Sequence, residues 1–254
     1  MSKYIKYNEC QVKINDENIF ALRASLSADS PSESQMTYGG KIESYKANSY
    51  LGSKVSFEYY ATGEIDNIYN LTGDISCSGE FGGISFSGAY LTDYSVNISP
   101  YLPVSFSADF VIFSGYKNEL STGAFTSNSL ELANGAHSDI SNFNYNNIGL
   151  DNPTSISYSV SCERVPNHEI GNEFSSNVRL GSVVKNLSIE GENIGSLINH
   201  SGQDIAGVSV QPKTLNNLSR GQLIECSGII KSQSLSVEKN GFIKGSIEIE
   251  DKVR

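Results

Sequence analysis

Apolar and polar residues alternate with a period of two along four stretches of the chain. These stretches are Val55–Tyr59, Val104–Ile112, Ile156–Cys162 and Ser246–Glu250. Such alternation is typical of a β-strand that buries one face and exposes the other to water. Strands of a parallel sheet are usually apolar on both faces, so the pattern favours antiparallel pairing. The sequence therefore predicts a mainly β protein built from antiparallel sheet.

Two shorter segments depart from this alternation. Glu64–Thr72 and Glu192–Ser201 space their apolar residues as a helix does, and each is followed at once by a glycine, Gly73 and Gly202. A glycine just beyond the last periodic residue is a signal for the end of a helix. Each segment is therefore predicted to form a short helix between strands.

The two predicted helices belong to a longer similarity between the two halves of the chain. Leu51–Ser53 recurs as Leu180–Ser182, and Asn70–Gly73 aligns with Asn199–Gly202 at the same offset. Further matches follow in the same order: Ser25–Ser27 with Ser159–Ser161, Phe86–Gly88 with Cys226–Gly228, Tyr94–Val96 with Leu235–Val237, and Phe106/Ala108 with Ile247/Ile249. Chance similarity between serine- and glycine-rich β sequences is the alternative explanation.

We interpret the matches as a tandem duplication. The chain is then predicted to form two duplicated antiparallel β-sandwich or barrel domains, residues 1–124 and 125–254, each with one short helix. The segment Tyr116–Asp139, in which Ser, Gly, Asn and Thr are frequent, is the predicted linker between them.

Composition and charge exclude several functions. The chain has 254 residues, of which 38% are hydrophobic, and its net charge is -10. Binding to nucleic-acid phosphates depends on clustered Lys and Arg, so it is not the expected role of an acidic chain. No apolar run approaches the roughly 18 residues of a membrane-spanning helix, and the first residues lack the apolar stretch of a secretory signal.

Residues that could carry chemistry are dispersed along the chain. The histidines have no second metal ligand at a suitable spacing: His137, His168 and His200. The cysteines form no Cys-x-x-Cys pair and are predicted to be free thiols in the core: Cys10, Cys77, Cys162 and Cys226. The glycine-rich run Gly79–Gly83 lacks the Lys-Ser/Thr pair of a phosphate loop and predicts a hairpin turn. No catalytic, cofactor or metal site is predicted, and the protein is not expected to be an enzyme.

The run Ser85–Phe110 resembles the closing hairpin of structural proteins from tailed-phage virions. The order of strands, short helix, strands and final hairpin is also similar to the tail-tube fold of phage tail tubes, type VI secretion tubes and several baseplate and neck proteins. The resemblance covers residues 5–115 and again 137–251. It implies subunits whose sheets join edge to edge in trimeric or hexameric rings, since three two-domain subunits would make a pseudo-sixfold ring.

A tail-tube-like protein would be a virion component, assembled in the host cytoplasm, with other tail, neck or capsid proteins as partners and no membrane. The resemblance implies a lumen through which genomic DNA passes without specific binding, and the negative charge would repel DNA phosphates. By analogy, the excursions Asp74–Ser85 and Gln203–Gln222 would stack one ring on the next, and residues 116–136 would join neighbouring positions within the ring.

Two alternatives remain open from the sequence. The first is a capsid decoration, neck or baseplate protein that forms a trimer or ring but does not polymerise. The second is a carbohydrate-binding β-sandwich adhesin in which sugars stack on exposed aromatic residues. Tyr38, Tyr45 and Tyr50 are the candidates for such a site, although the chain has no Trp.

Overall fold

Antiparallel strands make up most of the protein. The computed structural model describes residues 12–29, 32–36, 42–47, 52–61, 66–118, 133–141, 153–172, 174–175, 177–192, 204–214, 224–237, 241 and 243–253. The strands of the first half are β1 Val12–Ile14, β2 Glu17–Asn18, β3 Ala21–Asp29, β4 Ser32–Met36, β5 Ile42–Ala47, β6 Gly52–Tyr60, β7 Cys77–Phe81, β8 Ile84–Ile98, β9 Ser105–Ile112 and β10 Tyr116–Asn118. Those of the second half are β11 Ala133–Ser141, β12 Pro153–Asn167, β13 Asn177–Glu192, β14 Asp204–Thr214, β15 Ile224–Val237 and β16 Ile243–Val253.

Fourteen of these strands form one sheet, and β4 and β5 pair separately as a hairpin. The main run of the sheet has the order β3-β6-β9-β8-β12-β13-β16-β15-β14-β11. A branch formed by β7, β1 and β2 leaves this run at the first part of β8. Every recorded pairing between described strands is antiparallel, as the alternation predicted, and the four alternating stretches lie in β6, β9, β12 and β16.

The same strand order occurs in both halves of the chain. The order β3-β6-β9-β8-β7 in the first half matches β12-β13-β16-β15-β14 in the second. Phe57 lies opposite Ala108 on the neighbouring strand, and Leu187 lies opposite Ile249. Since Ala108 and Ile249 correspond in the sequence matches, Phe57 and Leu187 occupy corresponding places in the two halves.

The match of Tyr94–Val96 with Leu235–Val237 is out of register in the sheet. The alignment places Val96 with Val237, but Val96 lies opposite Phe106 and Gln233 lies opposite Ile247. Because Phe106 and Ile247 correspond, Gln233 is the counterpart of Val96. The alternation of apolar and polar residues is unchanged when a strand is shifted by an even number of residues. This pattern therefore does not distinguish the two alignments.

The helix expected at Glu64–Thr72 is replaced by a 3-10 helix at Tyr69–Thr72. The backbone N–H groups of Tyr69 and Leu71 donate to carbonyls three residues earlier, and the Asp66 side chain accepts a hydrogen bond from the Ile68 N–H at 3.0 Å. This side-chain bond competes with the α-helical pattern. The second expected helix begins at Glu192, the last residue of β13, and the rest of it lies outside the described residues.

A single hydrophobic core crosses the boundary that the sequence predicts at residue 124. It contains Val55 and Phe110 from the first half together with Tyr158 and Ile189 from the second. The two halves therefore share one sheet and one core. Both ends of the predicted linker are strands, because β10 pairs with β8 and β11 pairs with β14, and residues 119–132 lie outside the described part.

The glycine-rich run Gly79–Gly83 forms the predicted hairpin turn. Phe81 lies opposite Ile84, and the two residues between them, Gly82 and Gly83, have φ values of 57° and 88°. Two consecutive positive φ values are typical of the two-residue turns that suit the twist of a hairpin. This hairpin occupies most of the excursion Asp74–Ser85.

Candidate functional site

The two halves of the sheet join edge to edge where β8 pairs with β12. The joint contains six opposed pairs, from Ile98 with Ile156 to Asp93 with Ser161. Ile98 and Ile156 are each only 5% exposed. Main-chain hydrogen bonds and alternating buried side chains are also how one protein adds a strand to the sheet of another. The joint therefore has the form of a sheet-to-sheet interface within one chain.

Arg164 connects the second half to the first at the point where β12 leaves β8. Its guanidinium donates to the carbonyl oxygens of Leu91 at 2.8 Å, Gly73 at 2.9 Å and Leu71 at 3.2 Å. The guanidinium carbon lies 5.5 Å from the centroid of the Tyr90 ring, which is cation–π distance. Burial lowers the pKa of the Arg164 guanidinium from its ordinary value. One side chain of the second half thus binds three carbonyls of the first.

Asp66 is the centre of a hydrogen-bond cluster in the first half. The hydroxyls of Tyr59 and Tyr94 each donate to its Oδ2 at 2.7 Å. Burial raises the pKa of the Asp66 carboxyl, and the hydrogen bonds that it accepts oppose the shift only in part. Burial and the nearby Asp66 charge also raise the pKa of both tyrosines. The tyrosines therefore remain protonated donors near neutral pH and hold residues 66–72 against the sheet.

Tyr69 extends this cluster into the second half. Its hydroxyl lies 3.2 Å from the hydroxyl of Tyr158 on β12, and its ring centroid lies 5.5 Å from that of Tyr94. The Cys162 thiol, also on β12, donates to the carbonyl of Thr72 at 3.4 Å. The 3-10 helix therefore contacts both halves of the sheet beside the joint.

Two other strand edges expose apolar side chains. Among the described residues, β3 pairs only with β6, and Ile230–Val237 of β15 pairs only with β16. Leu22 on β3 and Leu235 on β15 are each 37% exposed, and Val237 is 70% exposed. A strand edge that exposes apolar residues is a site at which another strand can associate. These are the two candidate assembly edges of the protein.

The outer face of the joined strands carries short polar and acidic side chains. The residues on this face of β8, β9 and β12 are Asp93, Ser95, Asn97, Ser105, Ser107, Asp109, Ser157, Ser159 and Ser161. Some of these side chains bond to one another across the strands, as Ser95 does to Ser107 at 2.7 Å. Segments 93–98, 105–112 and 156–161 contain no Lys or Arg. This face therefore presents acidic groups without basic ones along the joint.

The predicted free thiols are confirmed for the cysteines that the structure describes. Cys77, Cys162 and Cys226 are free and buried, and Cys10 lies outside the described residues. Burial raises the pKa of Cys77 to about 12 and that of Cys226 to about 11. These thiols are therefore poor nucleophiles near neutral pH.

Two of the three histidines lie in the described part of the chain. His168 is exposed just after β12, His137 lies on β11, and His200 falls outside the described residues. The part of the chain that the structure describes has no group of three or more His, Cys, Asp or Glu placed to hold a metal ion.

Two other predicted contact regions are described only in part. The excursion Gln203–Gln222, expected to be a loop, contains β14, which pairs with β15; the remainder lies outside the described residues. Of the three candidate sugar-binding tyrosines, Tyr45 lies on β5, while Tyr38 and Tyr50 fall outside the described residues.

Sequence reasoning missed two residues that make several hydrogen bonds beside the joint, Arg164 and Asp66. Both carried a signal. Alternation in β12 makes position 164 an inward one after Cys162, and a charged residue at an inward position needs a specific set of partners. Asp66 lies among the apolar residues of the expected helix, where an aspartate favours a local side-chain bond over helix.

Comparison with known proteins gives no family. Neither the protein-family models nor the curated proteins contain a match to this chain. Within its described part, no helix has the length and apolar character needed to cross a membrane. The function is therefore argued from the sheet, the joint and the candidate assembly edges.

Proposed function

We propose that the protein is a non-enzymatic structural subunit of a tailed-phage virion, of the tail-tube type, which assembles into rings around a lumen that conducts DNA. The observation that carries the proposal is the β8–β12 joint. There the two halves of the sheet, which have the same strand order, pair edge to edge. A ring would repeat this joint between chains, with three two-domain subunits giving pseudo-sixfold symmetry.

The repeated strand order supports the duplication on which this symmetry depends. In the proposal, β3-β6-β9-β8-β7 and β12-β13-β16-β15-β14 descend from one ancestral domain, each copy originally with its own short helix. The shared sheet and core make the two copies one rigid unit. A rigid pair of domains suits a ring, because it sets the angle between two of the positions in advance.

The outer polar face supports a role in conducting DNA. If this face lines the lumen, Asp93 and Asp109 would repel phosphates, and the short serine side chains would leave few groups for the DNA to bind. Ring-to-ring stacking through the β7–β8 hairpin and the segment Gln203–Gln222 remains a prediction of the same proposal.

A capsid decoration, neck or baseplate protein is the second candidate, and the same joint supports it, since such proteins also form trimers or rings. A carbohydrate-binding adhesin is the third. It is favoured less, because the only candidate tyrosine in the described residues lies on the separate β4–β5 hairpin.

Negative-stain electron microscopy and mass photometry of the purified protein test the proposal together. Rings or tubes with an open lumen are the expected result, and stacked tubes distinguish a tail tube from a neck or decoration protein. A monomer at all concentrations, or a trimer without a lumen, contradicts the tail-tube assignment. A glycan array then tests the adhesin.

A further inference from the structure

We propose that the turn between β8 and β9 is a contact surface for a second copy of this chain, stacked head to tail on the first. Tyr101 and Leu102 on this turn would pack against Ile170, which lies in the turn between β12 and β13 of the second copy. This inference rests on the proposed function, and it names the surfaces through which one ring would meet the next.

The turn Ser99–Leu102 holds Tyr101 in a backbone conformation that a tyrosine rarely adopts. Its φ is 61°, a proline precedes it, and the N–H of the last turn residue donates to the carbonyl of the first at 3.4 Å. These features are typical of a type II turn, whose third residue has a positive φ and is usually glycine. The other described non-glycine residues with positive φ are Asn15 and Asp16, whose side chains tolerate that region. Tyr101 is therefore strained where glycine would not be.

The strain at Tyr101 is not offset by burial of its side chain. Tyr101 is 84% exposed and Leu102 is 59% exposed. A single exposed apolar residue is ordinary on a protein surface, but backbone strain that presents one to water is characteristic of a binding site. Because Pro100 fixes its own φ, the turn is shaped before any partner binds, which lowers the entropic cost of binding.

The β8–β9 turn and the β12–β13 turn lie at opposite ends of the sheet. β8 and β12 are antiparallel, with Ile98 opposite Ile156. Tyr101 lies just beyond Ile98, whereas β12 continues from Ile156 to Asn167 before the turn that contains Ile170. That length of strand measures roughly 36 Å. Ile170 is fully exposed, so each end of the sheet presents apolar side chains to water. We call them the Tyr101 end and the Ile170 end.

The Tyr101 end carries exposed apolar residues in both halves of the chain. In the repeated strand order, the β15–β16 hairpin is the counterpart of the β8–β9 hairpin. Ile247 on β16 and Ile98 on β8 lie in one row across the sheet, so both hairpins turn at the same end. Val237 and Ile243 are opposed next to the second turn and are 70% and 53% exposed. One chain therefore presents an apolar surface twice, and a partner with the same internal repeat matches it.

A second copy of the chain is the partner with that repeat. Contact between the Tyr101 end of one copy and the Ile170 end of the next joins two different surfaces, so its repetition gives an open stack. The β7–β8 turn, which the proposed function assigns to stacking, lies at the Ile170 end, because it precedes the first residue of β8 whereas Tyr101 follows the last. The surface that receives it is then the Tyr101 end.

One variant at each end tests the contact. Tyr101→Lys/Leu102→Lys alters one end and Ile170→Lys the other, and each places charge against an apolar surface, which is unfavourable. In negative-stain electron microscopy, each variant alone should form rings and shorten the tubes at least tenfold. An equal mixture should form stacks of two rings, because each variant keeps one unaltered end. Ile229→Lys is the matched control, because Ile229 is 49% exposed on β15 away from both ends, and its tubes should keep their length.

The outcomes separate this inference from the proposed function. Rings from both variants, with two-ring stacks in the mixture, support the head-to-tail contact. Rings that stack equally well in every variant, or that never stack, overturn the contact and leave the ring proposal standing. Loss of stacking at the Tyr101 end alone means that like ends meet, which overturns the pairing with Ile170. A stack without a lumen that both variants abolish supports the contact and contradicts the tail-tube assignment. A protein that neither closes into rings nor stacks overturns both.

A glycine at position 101 tests the strain separately from assembly. Tyr101→Gly relieves the unfavourable φ, so the dilute, unassembled protein should melt at least about 2 °C higher than the unaltered protein. The same variant should lose stacking, because the aromatic ring is gone. A lower melting temperature, or stacking that persists, would show that Tyr101 serves the fold of its own chain and would overturn the inference.

Discussion

The two halves share one strand order but fill it with different core side chains. Corresponding positions hold Tyr59 and Ile189, Tyr94 and Ile230, and Phe106 and Ile247. The first half therefore buries aromatic rings and hydroxyls around Asp66, and the second half packs with aliphatic residues at the same places. One strand order is thus compatible with two kinds of core, and at these three positions only the first half buries hydroxyl groups.

The largest expected effect comes from removing the attachment between the halves. Arg164→Met keeps an unbranched apolar stem but leaves the carbonyls of Leu71, Gly73 and Leu91 without the guanidinium. Hydrogen bonds from a charged group contribute about 1.5–3 kcal/mol each, and partial exposure reduces the sum, so we expect a loss of about 3 kcal/mol in the free energy of unfolding. Urea denaturation measures it.

Arg179→Met is the control for this variant, because Arg179 is exposed on β13. Its free energy of unfolding should stay within about 0.5 kcal/mol of the unaltered protein. If Arg164→Met costs no more than this control, the three hydrogen bonds do not hold the halves together.

A smaller loss is expected when the polar core of the first half is disrupted. Asp66→Ala removes the acceptor for the hydroxyls of Tyr59 and Tyr94 and leaves both buried. An unsatisfied buried polar group costs about 1–3 kcal/mol, so the expected loss is about 2 kcal/mol by urea denaturation. Asp109→Ala, on the exposed outer face, should change stability by less than about 0.5 kcal/mol. Equal effects of the two variants would contradict the role given to Asp66.

The features that sequence predicted correctly are local ones. Alternation predicted the strands that contain Val55–Tyr59 and Val104–Ile112, since the side-chain period of a strand is visible within a few residues. The glycines of the β7–β8 turn predicted a hairpin for the same reason.

The features that sequence missed depend on residues far apart in the chain. Pairing of β8 with β12 brings Leu91 next to Arg164, and no local pattern specifies such a contact. The 3-10 helix depends on the hydrogen bond that the Asp66 side chain accepts from the Ile68 N–H. The spacing of apolar residues gives no sign of that bond. The displaced match of Val96 arose because alternation is unchanged by an even shift.

Asp66 should make the first half less stable as pH rises. Burial raises the pKa of its carboxyl in the folded protein above the ordinary value of 3.8, so the folded state keeps a proton that the unfolded chain has released. The contribution of Asp66 to the free energy of unfolding is therefore greatest below pH 3.8 and falls as pH rises through the folded-state pKa. Each unit of pKa difference corresponds to about 1.4 kcal/mol.

The measurement is the difference in free energy of unfolding between the unaltered protein and Asp66→Asn, followed from roughly pH 3 to pH 7. Subtracting the variant removes the contributions of the other carboxylates. The unaltered protein should lose stability relative to Asp66→Asn as pH rises. If the difference between the two stays constant or changes in the opposite direction, the folded-state pKa of Asp66 lies at or below its ordinary value.

The smallest expected effect concerns the hydroxyl contact of Tyr158 with Tyr69 between the halves. Tyr158→Phe keeps the buried ring but removes the hydroxyl that lies 3.2 Å from that of Tyr69. A neutral hydrogen bond contributes about 1 kcal/mol, so thermal and urea unfolding should show a loss of that size. Tyr101→Phe is the control, because Tyr101 is 84% exposed in the β8–β9 turn and should be neutral. If Tyr158→Phe is as stable as the control, apolar packing alone holds the aromatic core of the first half to β12.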